Sequence, residues 1–175
     1  MADIKQDLKT LSKYLDVSGI KINVNCETKA PTLSLNGTTV TGLSSIATYL
    51  AKTAGRRDLI GGNDAVERAL IAQWLEYRVT EIDSCHGEKD ISTVLKELNT
   101  YLSTRTYFVG DHFTLPDMLL AFGLHSAISG LTHQEKEKFG HLSRWFDNIQ
   151  SLEGVLQHQP RAYFIKNLIY AGVQC

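Results

Sequence analysis

Residues 113–125, Phe-Thr-Leu-Pro-Asp-Met-Leu-Leu-Ala-Phe-Gly-Leu-His, constrain the fold more than any other stretch of the chain. Thr114 stands where a helix N-cap belongs, its hydroxyl placed to accept from the Asp117 amide while the Asp117 carboxylate reaches back to the Thr114 amide. Asp117 also sits at the positive end of the helix dipole, and Pro116 falls in the first turn, where its missing N–H costs nothing. Phe113 and Met118 flank this capping box at the positions of a hydrophobic staple. Beyond the cap, Met118, Leu119, Leu120, Ala121, Phe122 and Leu124 cover every face of the helix. A helix that is apolar all round is buried all round, so the remaining elements must pack around this one. Gly123 marks the place where a neighbour can come close, and His125 at the far end is expected to be a hydrogen-bonded structural residue.

Charge sets further bounds. Eighteen Lys+Arg against 19 Asp+Glu leave a net charge of −1, and no long basic block occurs. That argues against nucleic acid as the main partner without excluding a local patch. Cys26, Cys85 and Cys175 lie far apart with no zinc-ligand spacing, and an odd count suits a reducing compartment. The first residues carry charge where a signal peptide needs an apolar run, and no stretch is apolar for long enough to span a bilayer. These features predict a soluble, intracellular protein.

In order, Ile4, Leu8, Leu11 and Leu15 predict a short amphipathic helix over 3–15. Residues 20–26 alternate strictly, as a half-buried strand does. Thr32-Leu-Ser-Leu35 alternates again, Asn36-Gly37 is a hairpin turn signal, and Thr38-Thr-Val40 is the returning strand. Pro31 precedes a strand where no ladder donor is lost, at an X-Pro bond open to the cis form. Leu43, Ile46, Ala47 and Leu50 predict a helix over 43–52, so the first third reads α-β-β-β-α. Gly55-Arg-Arg-Asp and Gly61-Gly-Asn-Asp break the pattern, which places a unit at 1–55, a linker at 56–62 and an all-helical unit at 63–175. Residues 64–83 carry two apolar stripes, Val66, Leu70, Trp74 and Tyr77 on one and Leu75, Val79 and Ile82 on the other. Two stripes predict a helix contacted from two sides. Residues 90–102 are one-sided, Thr132-His-Gln-Glu135 is a second capping box opening a short charged helix at 134–139, and Leu142, Trp145, Phe146, Ile149 and Leu152 line a helix that Gly154 stops. The apolar tail 163–170 is expected to dock back on the bundle.

Little of the sequence points to catalysis. Six histidines form no His-Glu-x-x-His, and no GxGxxG, P-loop or GxSxG motif is present. Cys85 precedes His86, but a reactive thiolate needs an orienting third group. No catalytic, cofactor or metal site is expected. Arg144 must point away from the apolar stripe of its helix, near the N-terminus, and reads as a solvated side chain or as an interface anchor.

Ala30-Pro31-Thr-Leu, Ile46-Ala-Thr-Tyr-Leu50 and Gly110-Asp-His-Phe-Thr-Leu-Pro-Asp117 together resemble the glutathione-transferase fold. That resemblance implies a reduced thioredoxin-like α/β domain followed by an all-α domain. Gln73-Trp-Leu-Glu-Tyr-Arg-Val79, Gln134-Glu-Lys-Glu-Lys138, Ser143-Arg-Trp-Phe146 and Phe164-Ile-Lys-Asn167 resemble, more narrowly, the adaptor members of that family. Transferases of this fold use Glu or Gln then Ser at the start of the helix after the hairpin to hold glutathione; here Gly42-Leu43 occupy those places. The first strand and its catalytic residue are also missing from the pattern. The resemblance therefore implies a non-catalytic adaptor of the cytosolic multi-tRNA-synthetase complex, binding methionyl-tRNA synthetase and glutamyl-prolyl-tRNA synthetase, with a nuclear role in the DNA-damage response. It implies two docking surfaces, one with Arg68, Gln73 and Tyr77 and one around Arg144 and Asp147. The alternative is a glutathione-dependent transferase using Cys26 or Tyr14.

Overall fold

The computed structural model describes residues 3–25, 30–35, 37–85 and 87–164. The alternating stretches form three short strands, β1 (Lys21–Val24), β2 (Pro31–Leu35) and β3 (Thr38–Thr41), in one antiparallel sheet of order β1-β2-β3. Ile22 and Leu33 are opposite each other in the register, and both are buried. Leu35 faces Thr38, which leaves two residues for the turn. Gly37 takes a φ of 79°, in the left-handed region that a tight hairpin needs, while Asn36 lies outside the described residues. The Ala30–Pro31 bond is trans, not cis, and Pro31 opens β2, where its lack of an N–H is harmless.

Helices α1 (Ile4–Tyr14) and α2 (Leu43–Thr53) pack on the sheet and on each other, completing the expected α-β-β-β-α order. Asp3 caps α1 by accepting from the Lys5 and Gln6 amides. Residues 56–62 are more than a break. They hold a 3-10 turn at Arg57–Ile60 that buries Leu59 and Ile60, and a bidentate Arg56–Asp58 pair fixes its start.

The helical part comprises α3 (Ala65–Tyr77), α4 (Glu88–Tyr101), α5 (Leu115–Gly130), α6 (His133–Lys138) and α7 (Gly140–Ser151). The helix expected over 64–83 is regular only to Tyr77 and continues as one wide π-type turn, Arg78–Ile82. α5 is the hub, packed by α3, by the wide turn and by α7. Every residue from Leu115 to Phe122 is buried, as its apolar circumference requires. One contiguous core runs from Leu8 and Leu33 to Phe146 and Ile149. Phe164 packs on Phe146 at 6.1 Å between centroids, whereas Tyr163 is exposed; the expected docking of 165–170 lies outside the described residues. Among the described residues no helix is long and apolar enough to cross a membrane.

Candidate interaction surfaces

Two buried polar clusters hold α5 and so position everything around it. At its N-terminus the capping box is formed. Asp117 Oδ2 accepts from the Thr114 amide at 3.1 Å and the Thr114 hydroxyl at 2.9 Å. Asp117 Oδ1 accepts from the Phe108 amide at 3.0 Å and the Trp145 indole N–H at 2.9 Å. Burial pushes this carboxyl above the usual range, and the four donors pull the other way. Phe113, expected to staple onto Met118, sets its ring edge-on to Tyr14 of α1 at 6.4 Å.

The second cluster has no counterpart in the sequence expectations. Arg78 is fully buried, and its Nη2 donates to Asp7 of α1 at 2.7 Å and its Nε to Asp83 at 2.8 Å. Its Nη1 donates to the Leu119 carbonyl of α5. A Cβ on Gly123 would collide with the Arg78 guanidinium carbon, so the close approach that Gly123 permits is that of an arginine side chain. The wide turn explains the pairing with Asp83. The Asp83 amide donates to the Arg78 carbonyl, five residues back, at 2.9 Å. In a regular α-helix those two positions lie about 140° apart around the axis; the wider π-type turn brings them onto one side of it. Burial raises the carboxyls of both Asp7 and Asp83, and Arg78 opposes the rise. The guanidinium thus ties α1, the wide turn and α5 together.

Outside this frame α3 shows an apolar strip to solvent. Val66 and Leu70 are 67% and 36% exposed, and Gln73 is exposed beyond them. With half-buried Tyr77 they fall at i, i+4, i+7 and i+11, one line along the helix. The Tyr77 hydroxyl donates to Glu97 Oε2 at 3.1 Å, and burial followed by Glu97 raises its pKa. Of the expected stripe Val66, Leu70, Trp74 and Tyr77, Trp74 turns inward against Tyr101 and Phe108, each at 4.6 Å. Arg68 does not join Gln73 and Tyr77. It lies about 140° around the helix from Gln73 and donates to the Gly62 carbonyl at 3.1 Å. Val66 and Leu70 belong with the surface instead, and their signal in the sequence is the stripe they share with Trp74 and Tyr77.

Arg144 is exposed yet committed. Its Nη2 donates to the carbonyls of Leu102 and Arg105, each at 2.9 Å. These carbonyls end α4 and the short 3-10 turn Leu102–Thr104, so the guanidinium sits at the negative end of a helix it does not belong to. The solvated reading is therefore replaced by a capping role. Beside it opens a groove of about 590 Å³ with Arg105, Tyr107 and Asn148 on its walls. Asp147 lies one turn along, accepting from Gln150 at 2.8 Å and pairing with Arg161 at 3.4 Å.

Residues weighed for chemistry lie apart from one another. Burial, then Asp90 and Glu81, push the Cys85 thiol up, which disfavours a thiolate, and Cys85 Sγ donates to the Glu81 carbonyl at 2.9 Å. Cys26, His86 and Cys175 lie outside the described residues. His125 Nε2 is 2.8 Å from the Pro160 carbonyl, the structural bond expected of it. Among the described residues no three His, Cys, Asp or Glu side chains are grouped to hold a metal.

The chain is similar to known proteins over most of its length. A family model described as the nuclear-export cofactor Arc1p matches residues 67–153. Eukaryotic translation elongation factor 1 epsilon-1 of Homo sapiens is 46% identical over 168 residues, covering 95% of this chain and 96% of that protein. The bifunctional glutamate/proline–tRNA ligase of Mus musculus is 34% identical over 112 residues, 63% of this chain but 7% of the ligase. Among solved structures, a sphingomonad glutathione S-transferase complexed with glutathione superposes with a TM-score of 0.70 at 17% identity, over 87% of this chain and 91% of that one. The fold is that of the glutathione transferases.

Proposed function

The chain belongs to the eukaryotic translation elongation factor 1 epsilon-1 family, and from that premise we propose that it is a non-catalytic adaptor among aminoacyl-tRNA synthetases. It binds the transferase-like domains of methionyl-tRNA synthetase and of glutamyl-prolyl-tRNA synthetase through two separate surfaces. The observation that carries this reading is the strip Val66, Leu70, Gln73 and Tyr77, which sets two exposed aliphatic side chains in one line along α3 with a half-buried tyrosine at its end. A glutamate/proline–tRNA ligase contains a stretch similar to this chain, and like folds present like faces for pairing. The second surface is the groove bounded by Arg144, with Asp147 beside it. Arg68, on the far side of α3 and tied to the Gly62 carbonyl, is not part of the first surface. The proposal retains the division into a reduced thioredoxin-like unit at 1–55, a linker at 56–62 and an all-helical unit at 63–175. It places the protein in the cytoplasm, with nuclear entry and a DNA-damage role as its further part.

The start of α2 supports a loss of catalysis. Gly42 caps it at a φ of 95° with no side-chain hydrogen bond, and Leu43 behind it is buried. At the two positions where a transferase of this fold holds glutathione, Gly42 and Leu43 have no hydroxyl to offer; the nearest ones, on Ser44 and Ser45, come one and two residues later in the first turn.

Pull-down of the two synthetase domains by the purified chain, with glutathione turnover assayed in parallel, tests the reading. Leu70→Asp is expected to abolish one contact and spare the other, and Arg144→Ala to do the converse. Arg144→Ala also removes a cap of about 1 kcal/mol, so binding is compared well below its Tm. Turnover of glutathione, or undiminished binding of both partners by both variants, overturns the assignment.

A further inference from the structure

The balanced charge of the chain conceals a basic row. α1 carries Lys5, Lys9 and Lys13 four residues apart, which places successive lysines about 6 Å apart along the axis on one exposed side. The acids of the same helix are spent elsewhere. Asp3 caps its own helix, and Asp7 turns inward to Arg78. Among the described residues none of the three lysines has a carboxylate within ion-pair distance.

Lys9 and Lys13 line a cleft of about 570 Å³ between α1 and the segment 153–158, a size in the range of small-molecule sites. Its floor is fixed. The Thr10 hydroxyl donates to the Gln6 carbonyl at 3.0 Å and lies 3.3 Å from His158 Nε2. The facing wall comes close because Gly154, at a φ of 81°, would set a Cβ 3.2 Å from the Tyr14 ring. Gln6 and Gln157 add amide groups from opposite sides, and Glu153 is the one carboxylate on the lining. Two lysines against that one carboxylate leave the lining with a net positive charge. His158 is held below its ordinary pKa by burial and by the neighbouring His125 and Lys13.

We propose that this cleft binds a small organic polyphosphate of the nucleoside diphosphate class, its two phosphoryl groups bracketed by Lys9 and Lys13 and its remainder met by Gln6 and Gln157. A concave site of this volume suits a small anion better than the open backbone of a nucleic acid. The inference is independent of the adaptor reading.

Calorimetric titration of the full chain at low salt, with ADP, pyrophosphate and adenosine in turn, decides it. ADP and pyrophosphate are expected to bind, adenosine not to bind, and raised salt to weaken both anions. The double variant Lys9→Ala/Lys13→Ala is expected to lose about tenfold or more in affinity for ADP, while Lys52→Ala on the exposed side of α2 leaves it unchanged. All these lysines are exposed, and an unchanged Tm shows that the variants are folded. Absence of heat with both anions overturns the proposal, as does ADP affinity that survives the double variant. Binding of tRNA that depends on Lys9 and Lys13, with none of ADP or pyrophosphate, also overturns it.

Discussion

The two polar clusters on α5 solve one problem in opposite ways. Asp117 is a buried anion surrounded by neutral donors, two amides, a hydroxyl and an indole, with no cation among them. Asp7, buried, and Asp83, partly buried, are anions sharing one guanidinium. The first cluster is built largely within one turn, Thr114 and Asp117, and then recruits Phe108 and Trp145. The second joins residues 71 positions apart in the chain, Asp7 and Arg78. A local motif fixes where α5 starts; a distant ion cluster fixes what packs on its side. The second kind costs more to disturb, because removing its centre leaves charge unpaired rather than donors unmet.

Arg78→Met breaks the comparison at its most costly point. It leaves a buried carboxylate, Asp7, and a partly buried one, Asp83, without a cation, and a loss of about 3–5 kcal/mol is expected in denaturant unfolding. Gly123→Ala attacks the same cluster from the α5 side, since its methyl would occupy guanidinium space, and should be of comparable severity. Adding Asp7→Leu and Asp83→Leu to Arg78→Met is expected to recover much of the loss. Failure to recover would mean that Arg78 acts through its bond to the Leu119 carbonyl rather than through its charge.

Asp117→Ala comes next, at about 2–4 kcal/mol, since four buried donors lose their acceptor at once. A cap alone would cost about 1 kcal/mol, so a loss of that size would show that Phe108 and Trp145 find other partners. Trp145→Phe is smaller again, about 1–2 kcal/mol, because it removes a single donor to that carboxylate and part of a packed ring.

The contrast also explains what could be read from the sequence. The capping box, the apolar circumference of α5, the Asn-Gly hairpin and the alternation of β1 and β2 are short-range patterns. Each is set by neighbours within a few residues, and each is found among the described residues, save that in β1 only Ile22 is buried and Val24 is exposed. Arg78 was illegible because an arginine between Tyr77 and Val79 reads as a surface residue, and nothing near it names Asp7 as its partner. The only trace was Gly123, a gap in an otherwise filled helix. Arg144 was half legible. Its outward direction followed from the stripe Leu142, Trp145 and Phe146, but its bonds to the Leu102 and Arg105 carbonyls depend on how α4 ends. The same limit hid the buried Leu59 and Ile60 in a stretch whose glycines and arginines read as a break. Among the surface residues, Arg68, Gln73 and Tyr77 looked equivalent in sequence. The orientation of α3 separated Arg68 and promoted Val66 and Leu70.

Acid titration sharpens the comparison last, through slopes of opposite sign. Burial lifts Asp117, Asp7 and Asp83 above 3.8. A carboxyl raised in this way takes up protons on folding. Its stabilising share is complete below pH 3.8 and is lost as pH climbs through the folded value. Asn at position 117 does not ionise, so the advantage of the native chain over Asp117→Asn should narrow as pH rises from about 3 toward neutrality. In Arg78→Met the cation that restrains Asp7 and Asp83 is gone, their folded values climb further, and the deficit should widen over the same range. Tm measured for the three chains across that range shows both slopes together. Two widening gaps would mean that the four donors on Asp117 outweigh its burial, and that a carboxylate caged by neutral groups is held as firmly in its charged form as one facing an arginine.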